Sequence, residues 1–166
     1  MKIFKCALSV ILICAVCCSL SGCGKISKFV DEQNADFEYV ENISKEIVRC
    51  FDEKDIESLK LMFCANSQQK YDLDEEIQTA FELYNDHSKS YIVTNKYWTG
   101  SKNKDGNFTD KHFHPNIKIE TQEGNIYNIG FYVYEIYEYD KGEIGIGAIG
   151  LEDENEKSIG GIGGHD

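Results

Sequence analysis

Basic residues are scarce in this sequence: 17 lysines and arginines stand against 29 aspartates and glutamates, giving a formal net charge of −12. Proteins that bind DNA, RNA or anionic lipids build their contacts on lysine and arginine. The excess of acidic residues therefore argues against DNA, RNA and anionic lipids as partners of the chain as a whole. An acidic surface is commonly explained by solubility, so the charge excludes a nucleic-acid-binding function without indicating another.

Recognisable catalytic and metal-binding motifs are also missing. The sequence has no Walker motif, nucleophile elbow or zinc-binding helix motif, and its late glycines do not lie between a strand and a helix, as a phosphate loop requires. His112 and His114, with Asp110 nearby, are the one close pair of histidines and could meet a metal ion in an extended segment. We expect them in a solvated loop instead, and we predict no metal, no cofactor and no catalytic residue.

A long hydrophobic run is absent too. A membrane-spanning helix needs about 20 apolar residues, whereas the apolar run near the N-terminus is shorter and is interrupted by Lys5 and Ser9. Lys2 and Lys5 precede this run, and the small residues of Leu20-Ser21-Gly22-Cys23 end it. This order is typical of a cleaved secretory signal peptide.

The segment Leu20-Ser21-Gly22-Cys23 resembles the lipobox of bacterial lipoproteins. The resemblance implies that Cys23 carries a diacylglyceryl group and becomes the mature N-terminus, which places the protein on the extracytoplasmic face of the cell membrane. Residues 1–22 are then the signal peptide and residues 23–35 the lipidated cysteine with a polar tether. Removal of the signal peptide leaves 144 residues with a net charge of −14. An ordinary secretory signal is the alternative.

The seven cysteines do not form a disulfide framework. Cys50 and Cys64 are the only two that follow Cys23. A disulfide between them would close a loop of about 15 residues and stabilise the fold by roughly 3 kcal/mol in the chain-entropy model. Two buried thiols are the alternative, since cysteine packs as a small hydrophobic residue.

Three segments have the periodicity of helices. Apolar residues recur every three or four positions in Asp36–Phe51, Asp55–Phe63 and Asp72–Tyr84. Asp36 is placed to cap the first helix. Acidic residues at the start of the third helix favour the positive end of its dipole.

The later part of the chain predicts strands. A period of two marks the segments 91–98, 116–121, 126–139 and 143–151. Short turns join the last three, so they form an antiparallel meander. Residues 100–114 are predicted to be a polar loop, and residues 152–166 an acidic and glycine-rich disordered tail.

This order of elements resembles the nuclear-transport-factor-2-like, ketosteroid-isomerase-like cone. The segments FDEKDIESLKLMFC and IKIETQEGNIYNIGFYVYEIYEYDKGEIGIGAIGLE are similar to a family of uncharacterised bacterial lipoprotein domains in that superfamily. The resemblance implies an α+β domain over residues 36–151, with N-terminal helices packed on a curved antiparallel sheet. The tyrosine and acid groups that isomerases use inside the cone have no matching positions here, so the resemblance supports the fold alone.

The predicted sheet has an aromatic face. Tyr132 and Tyr134 point away from the side that carries Ile129, Phe131 and Val133. Because glycine weakens a strand unless it bends it or admits a neighbour, we expect a tyrosine ring over the glycines of the next strand. The candidate binding face comprises Trp98, Tyr132, Tyr134 and Tyr137; the alternative is that the large rings only cover a one-sided sheet.

The sequence therefore predicts a membrane-tethered, non-catalytic domain that binds an unidentified small molecule or protein on this sheet. A homodimer through the sheet is a second binding hypothesis, which the superfamily resemblance implies. A small isomerase or hydrolase working inside the cone, and an immunity lipoprotein against a secreted toxin, are the alternatives from other classes. An enzyme requires a pocket that holds a carboxyl or tyrosine with a shifted pKa.

Overall fold

The structure is a computed structural model that describes residues 30–164. The chain divides into two compact units, Met1–Asp36 and Phe37–Asp166. Among the residues described, no helix combines the length and apolar character needed to cross a membrane. The predicted signal peptide lies outside the described residues, as does the tether as far as residue 29.

Four helices precede the sheet in the part of the chain that the structure describes. They are α1 over residues 30–53, α2 Ile56–Met62, α3 Ala65–Lys70 and α4 Leu73–Leu83. The Asp55 carboxylate caps α2 by accepting from the amide of Ser58 at 3.1 Å, and Asp72 caps α4 in the same way. Both caps satisfy amides that have no partner within the helix.

The first helix begins earlier than predicted. Asp36 is an interior residue of α1 and not its cap, and residues 30–35, predicted as tether, are helical. This segment contains neither glycine nor proline, so nothing in it breaks the helix. The short helix α3 was not predicted because its sequence, ANSQQK, has no apolar periodicity.

Seven antiparallel strands form a single sheet in the described chain. They are β1 Ser88–Thr94, β2 Trp98–Lys102, β3 Phe108–Phe113, β4 Asn116–Thr121, β5 Ile126–Tyr137, β6 Gly145–Glu152 and β7 Ser158–Gly163. The long strand β5 pairs along one side with β4 and then β3, and along the other with β6. Strands β1, β2 and β7 lie at the edges. The predicted meander of β4, β5 and β6 is confirmed.

The polar loop predicted at residues 100–114 is wrong. It contains the end of β2, a turn and the whole of β3, and β3 pairs with the far half of β5. The side chains of this strand are mostly polar, so its own sequence gives no strand signal. It is ordered by pairing with β5, some 25 residues later in the chain. Phe113 at its end is fully buried.

The disordered tail predicted at residues 152–166 is also wrong over most of its length. Residues 158–163 form β7, where Ile162 is fully buried and pairs with Ile149. Helix α4 covers this strand, and the amide of Gly163 donates to Oε2 of Glu76 at 2.7 Å. Glycine-rich sequence can therefore be ordered here because another element supplies its contacts.

The α+β fold that the sequence predicts is confirmed, with one apolar core between the helices and a single face of the sheet. Tyr84 joins the two layers at the end of α4. Its buried hydroxyl donates to Oδ1 of Asp52 in α1 at 3.0 Å, and the amide of Ser88 in β1 donates to the same oxygen at 2.8 Å. Burial, reinforced by Asp52, raises the pKa of the Tyr84 hydroxyl far above its usual range.

Candidate functional site

The sheet face that points away from the helices, here called the outer face, carries a group of tyrosines. In β5, Ile129, Phe131 and Val133 enter the core, so the alternate residues Tyr132 and Tyr134 lie on the outer face. Their ring centroids are 4.9 Å apart and the rings meet edge to face. The structure therefore brings together the tyrosines that the sequence places on one face.

Two histidines extend this group. The ring centroid of His112 lies 5.3 Å from that of Tyr132 and 5.1 Å from that of Tyr134, and His114 lies 4.4 Å from Tyr132. The prediction of a solvated loop is wrong for His112, which belongs to β3, and correct for His114, which is exposed and lies between β3 and β4. We call the whole set the aromatic cluster, and it comprises His112, His114, Tyr132, Tyr134, Tyr137 and Tyr139.

Asp110 fixes the orientation of His112. Oδ1 of Asp110 lies 2.8 Å from Nδ1 of His112, and both side chains are largely buried. Because Asp110 engages Nδ1, a hydrogen bond from the ring to another group would use Nε2. Among the described residues no group of three or more histidine, cysteine or acidic side chains could hold a metal ion. The pair can orient an imidazole for hydrogen bonding to a ligand.

A bulge in β6 lets Tyr132 lie close to the backbone. The register shifts between Tyr132 and Val133 of β5, which leaves Gly147 as the extra residue of β6. A Cβ atom on Gly147 would be 3.2 Å from Cδ1 of Tyr132. The expectation that a tyrosine ring covers a strand glycine is confirmed for this pair.

Beside Tyr132 the outer face is formed by glycines, which carry no side chains. Gly130, Gly150 and Gly161 are paired in one row across three strands, and Asn116 of β4 continues the row. A Cβ on Gly130 would meet no atom within 4 Å, and one on Gly150 would meet only a carbonyl oxygen at 4.0 Å. We call this row the glycine trough.

The glycine trough is part of a cavity of about 350 Å³ that opens to solvent. Its walls include the rings of His114 and Tyr132, and Asn116 and Glu152 supply polar groups. Burial, and then the neighbouring His112, lower the pKa of His114, which keeps its ring neutral at pH 7. Burial, and then the contact with Tyr134, raise the pKa of Tyr132 above its usual range. Among the residues that the structure describes, Glu152 is therefore the one charged side chain that lines this cavity.

Trp98 does not join the aromatic cluster. It pairs directly with Phe113, whose side chain lies in the core, so Trp98 points toward the helix side of the sheet. Its ring packs on Phe108 at 4.8 Å. The structure therefore brings together the three tyrosines of the predicted binding face and places Trp98 on the opposite side of the sheet, while binding at this face stays a prediction.

The helix side of the sheet contains a buried ion pair that sequence reasoning missed. Nζ of Lys111 lies 2.7 Å from Oε2 of Glu135, and Lys111 is 7% exposed. Glu135 is the extra residue at a bulge in β5. Burial, and then Glu135, raise the pKa of the nearby Tyr39 to about 12. The alternation of Lys111 with Phe113 in β3 was the one available signal for this site.

The remaining site residues predicted from sequence are cysteines. Cys50 and Cys64 are both buried and both free, so the disulfide considered between them is not formed in the structure. Burial raises the pKa of the Cys50 thiol to about 11, which makes it a poor nucleophile. Cys23, the predicted lipidation site, lies outside the described residues.

Comparison with known proteins places the domain in a family. Residues 46–154 match the family model described as Domain of unknown function (DUF5104), a range that runs from within α1 to just past β6 and includes every strand of the aromatic cluster. A search of curated proteins found no match. The match covers more than half of the chain, and the protein belongs to the DUF5104 family.

Proposed function

We propose that this protein is a lipid-anchored extracytoplasmic lipoprotein whose domain binds a small molecule, without catalysis, in the glycine trough. The observation that carries this proposal is the pair of glycines, Gly130 and Gly150, at the floor of the cavity. Neither residue has a positive φ angle, and neither is needed to admit a side chain of the domain itself.

Glycine in the interior of a strand lowers stability, since it gains no side-chain contact and loses more conformational entropy on folding. Other strand glycines have internal explanations: Gly147 admits Tyr132, and Gly163 lies against the backbone of β6. Close approach of a ligand to the sheet explains Gly130 and Gly150, where an added Cβ would meet no side chain. Such a ligand would contact the backbone of β5 and β6 directly.

The lining of the cavity indicates the class of ligand. The ring of Tyr132 and the neutral ring of His114 provide a surface on which an apolar face can stack. Glu152 and the amide of Asn116 can hydrogen-bond to hydroxyl or amino groups. The net charge of −12 opposes anions, so we expect a neutral or cationic ring compound with several donors, the chemistry of a hexosamine.

Titration of the purified protein with glucosamine and N-acetylglucosamine, followed by NMR, tests this binding. Gly150→Val should fill the trough and abolish the chemical-shift changes. Ser90→Val, an exposed outer-face position in the edge strand β1, is the matched control and should leave them intact. Equal binding by Gly150→Val would refute the site. A concentration-dependent dimer that Gly150→Val dissociates would instead assign the trough to a second copy of the chain.

The lipid anchor rests on Leu20-Ser21-Gly22-Cys23. Intact-mass analysis of protein from bacterial membranes should find Cys23 at the N-terminus with a diacylglyceryl adduct, because two acyl chains give stable membrane binding. Cys23→Ser should release the protein from the membrane fraction. Full membrane partitioning of that variant without an adduct would refute the anchor.

A second candidate function is an isomerase-type activity on the helix side of the sheet. The Lys111–Glu135 ion pair beside Tyr39 supports it, since buried titratable groups cluster at functional sites. The order of helices and antiparallel strands also supports membership of the nuclear-transport-factor-2-like superfamily. Turnover of a substrate that Glu135→Gln abolishes and Gly150→Val preserves would favour this candidate over binding in the trough.

A further inference from the structure

The hairpin of β2 and β3 packs against the part of α1 that begins the unit Phe37–Asp166. The ring of Tyr97, just before β2, packs edge-on against Phe37, with centroids 5.4 Å apart. Lys96 forms an ion pair with Glu41 one turn further along the helix. The base of the hairpin therefore lies beside Phe37, the first residue of this unit.

This hairpin exposes large aromatic side chains. Every residue of β2 is exposed, Trp98 is 37% exposed and Tyr97 is 69% exposed. The ammonium group of Lys102 lies 4.0 Å from the ring centroid of Phe108 and 5.6 Å from that of Trp98. Aromatic rings with lysines extending past them are typical of surfaces at the membrane–water interface.

The local charge differs from that of the whole chain. Lys96, Lys102 and Lys104 occur within nine residues that contain no acid, although acids outnumber bases 29 to 17 overall. Asp105 follows in the turn. Asp110 lies on the outer face with His112. Although the whole chain is acidic, this segment is therefore basic and aromatic.

The chain between Cys23 and this surface is short. Seven residue steps lead from Cys23 to residue 30, which at full extension cover at most about 25 Å. The helical steps from residue 30 to Phe37 add about 10 Å at 1.5 Å each. A lipid on Cys23 would therefore hold the bilayer surface within roughly 35 Å of Phe37, against which Tyr97 packs.

We propose that the exposed side of this hairpin, formed by Tyr97, Trp98, Lys102 and Lys104, docks on the phospholipid bilayer that holds the Cys23 anchor. The aromatic rings enter the headgroup region and the lysines contact lipid phosphates. This docking rests on the lipid anchor of the proposed function. It would orient the domain on the membrane so that the outer face stands free for its ligand.

Trp98 is the only tryptophan in the chain and reports directly on this surface. The lipidated protein is reconstituted into vesicles of phosphatidylcholine and phosphatidylglycerol in equal parts, with or without brominated acyl chains. Docking predicts that Trp98 emission shifts to shorter wavelength and is quenched by brominated lipid. Lys102→Glu/Lys104→Glu should reduce the quenching, whereas Lys118→Glu on the outer face should not.

A tryptophan at the opposite end of the unit is the matched control. Gln122 is exposed, and its backbone N–H donates to the carbonyl of His87, which precedes Ser88. Ser88 contacts Asp52, fifteen residues along α1 from Phe37 and hence about 22 Å away along the helix. The tryptophan of the variant Trp98→Phe/Gln122→Trp should show no quenching by brominated lipid.

The possible outcomes separate docking from anchoring. Unquenched Trp98 in vesicle-bound, lipidated protein would overturn docking and leave the anchor intact. Protein without an acyl adduct that does not bind vesicles would overturn both. Trp98 that is shielded from acrylamide but not quenched by brominated lipid would overturn docking in favour of contact with another protein chain.

Discussion

Substitution of Gly130 by alanine should stabilise the protein. The added Cβ meets no atom within 4 Å, and the strand conformation of Gly130 suits any residue. Alanine at such a position restricts the unfolded chain and stabilises by about 0.4–1 kcal/mol. For a domain of this size that gain corresponds to a rise in Tm of about 1–5 °C.

Gly100→Ala is the matched opposite. A Cβ there would lie 2.0 Å from the carbonyl oxygen of Asp110, so the hairpin must shift and Tm should fall. Differential scanning calorimetry on both variants at two protein concentrations measures the two changes. Destabilisation by Gly130→Ala would contradict an open glycine trough, and a concentration-dependent loss would indicate that another copy covers it.

Three further predictions test contacts elsewhere. Lys111→Met should lower the free energy of unfolding by about 1–3 kcal/mol, because the carboxylate of Glu135 stays partly buried without its partner. The double variant Lys111→Met/Glu135→Leu should recover most of this loss, as measured by urea titration. Asp52→Ala should cost about 1–3 kcal/mol, because the buried hydroxyl of Tyr84 loses its acceptor; an unchanged urea midpoint would contradict this. At pH 8, native Cys50 should resist iodoacetamide, since a pKa of about 11 leaves on the order of one thiolate in a thousand; mass spectrometry should find rapid labelling in urea only.

The sequence predicts those elements whose signals are local. The meander of β4, β5 and β6 follows from alternation and from the turn at Glu123-Gly124-Asn125, which the structure places between β4 and β5. Helix α4 follows from its apolar stripe and its acidic start. These features are encoded within ten or so residues, which is the range over which periodicity can be detected.

Elements that depend on distant partners could not be predicted in the same way. Strand β3 is polar along most of its length and is ordered by pairing with β5. Strand β7 has four glycines or serines among its six residues, and its order comes from β6 on one side and from α4 on the other. Tertiary contact outweighs local propensity in both.

The candidate site also combines features that local sequence predicts with features that depend on distant pairing. Strand alternation places Tyr132 and Tyr134 on one face, and the structure agrees. Trp98 was misassigned because the turn and the pairing of β2 were unknown, and the pairing with Phe113 decides its face. The contribution of His112 depends on β3 being a strand, which its own sequence does not indicate.

The two faces of the sheet differ in a way that packing alone does not explain. On the helix side, adjacent strands present large apolar side chains that fill the core, such as Phe131 and Ile149. On the outer face the same strands present Gly130 and Gly150, where an added Cβ would meet no atom closer than 4.0 Å and a side chain would raise strand propensity. A fold selected for stability alone has no need of this gap, because filling it would stabilise the domain. The gap is bordered by the half-buried ring of Tyr132 and the exposed ring of His114, whose centroids lie 4.4 Å apart. A binding role on the outer face accounts for both the glycines and the rings. The substitution Gly130→Ala, which should stabilise the protein, should therefore also weaken the binding of its ligand.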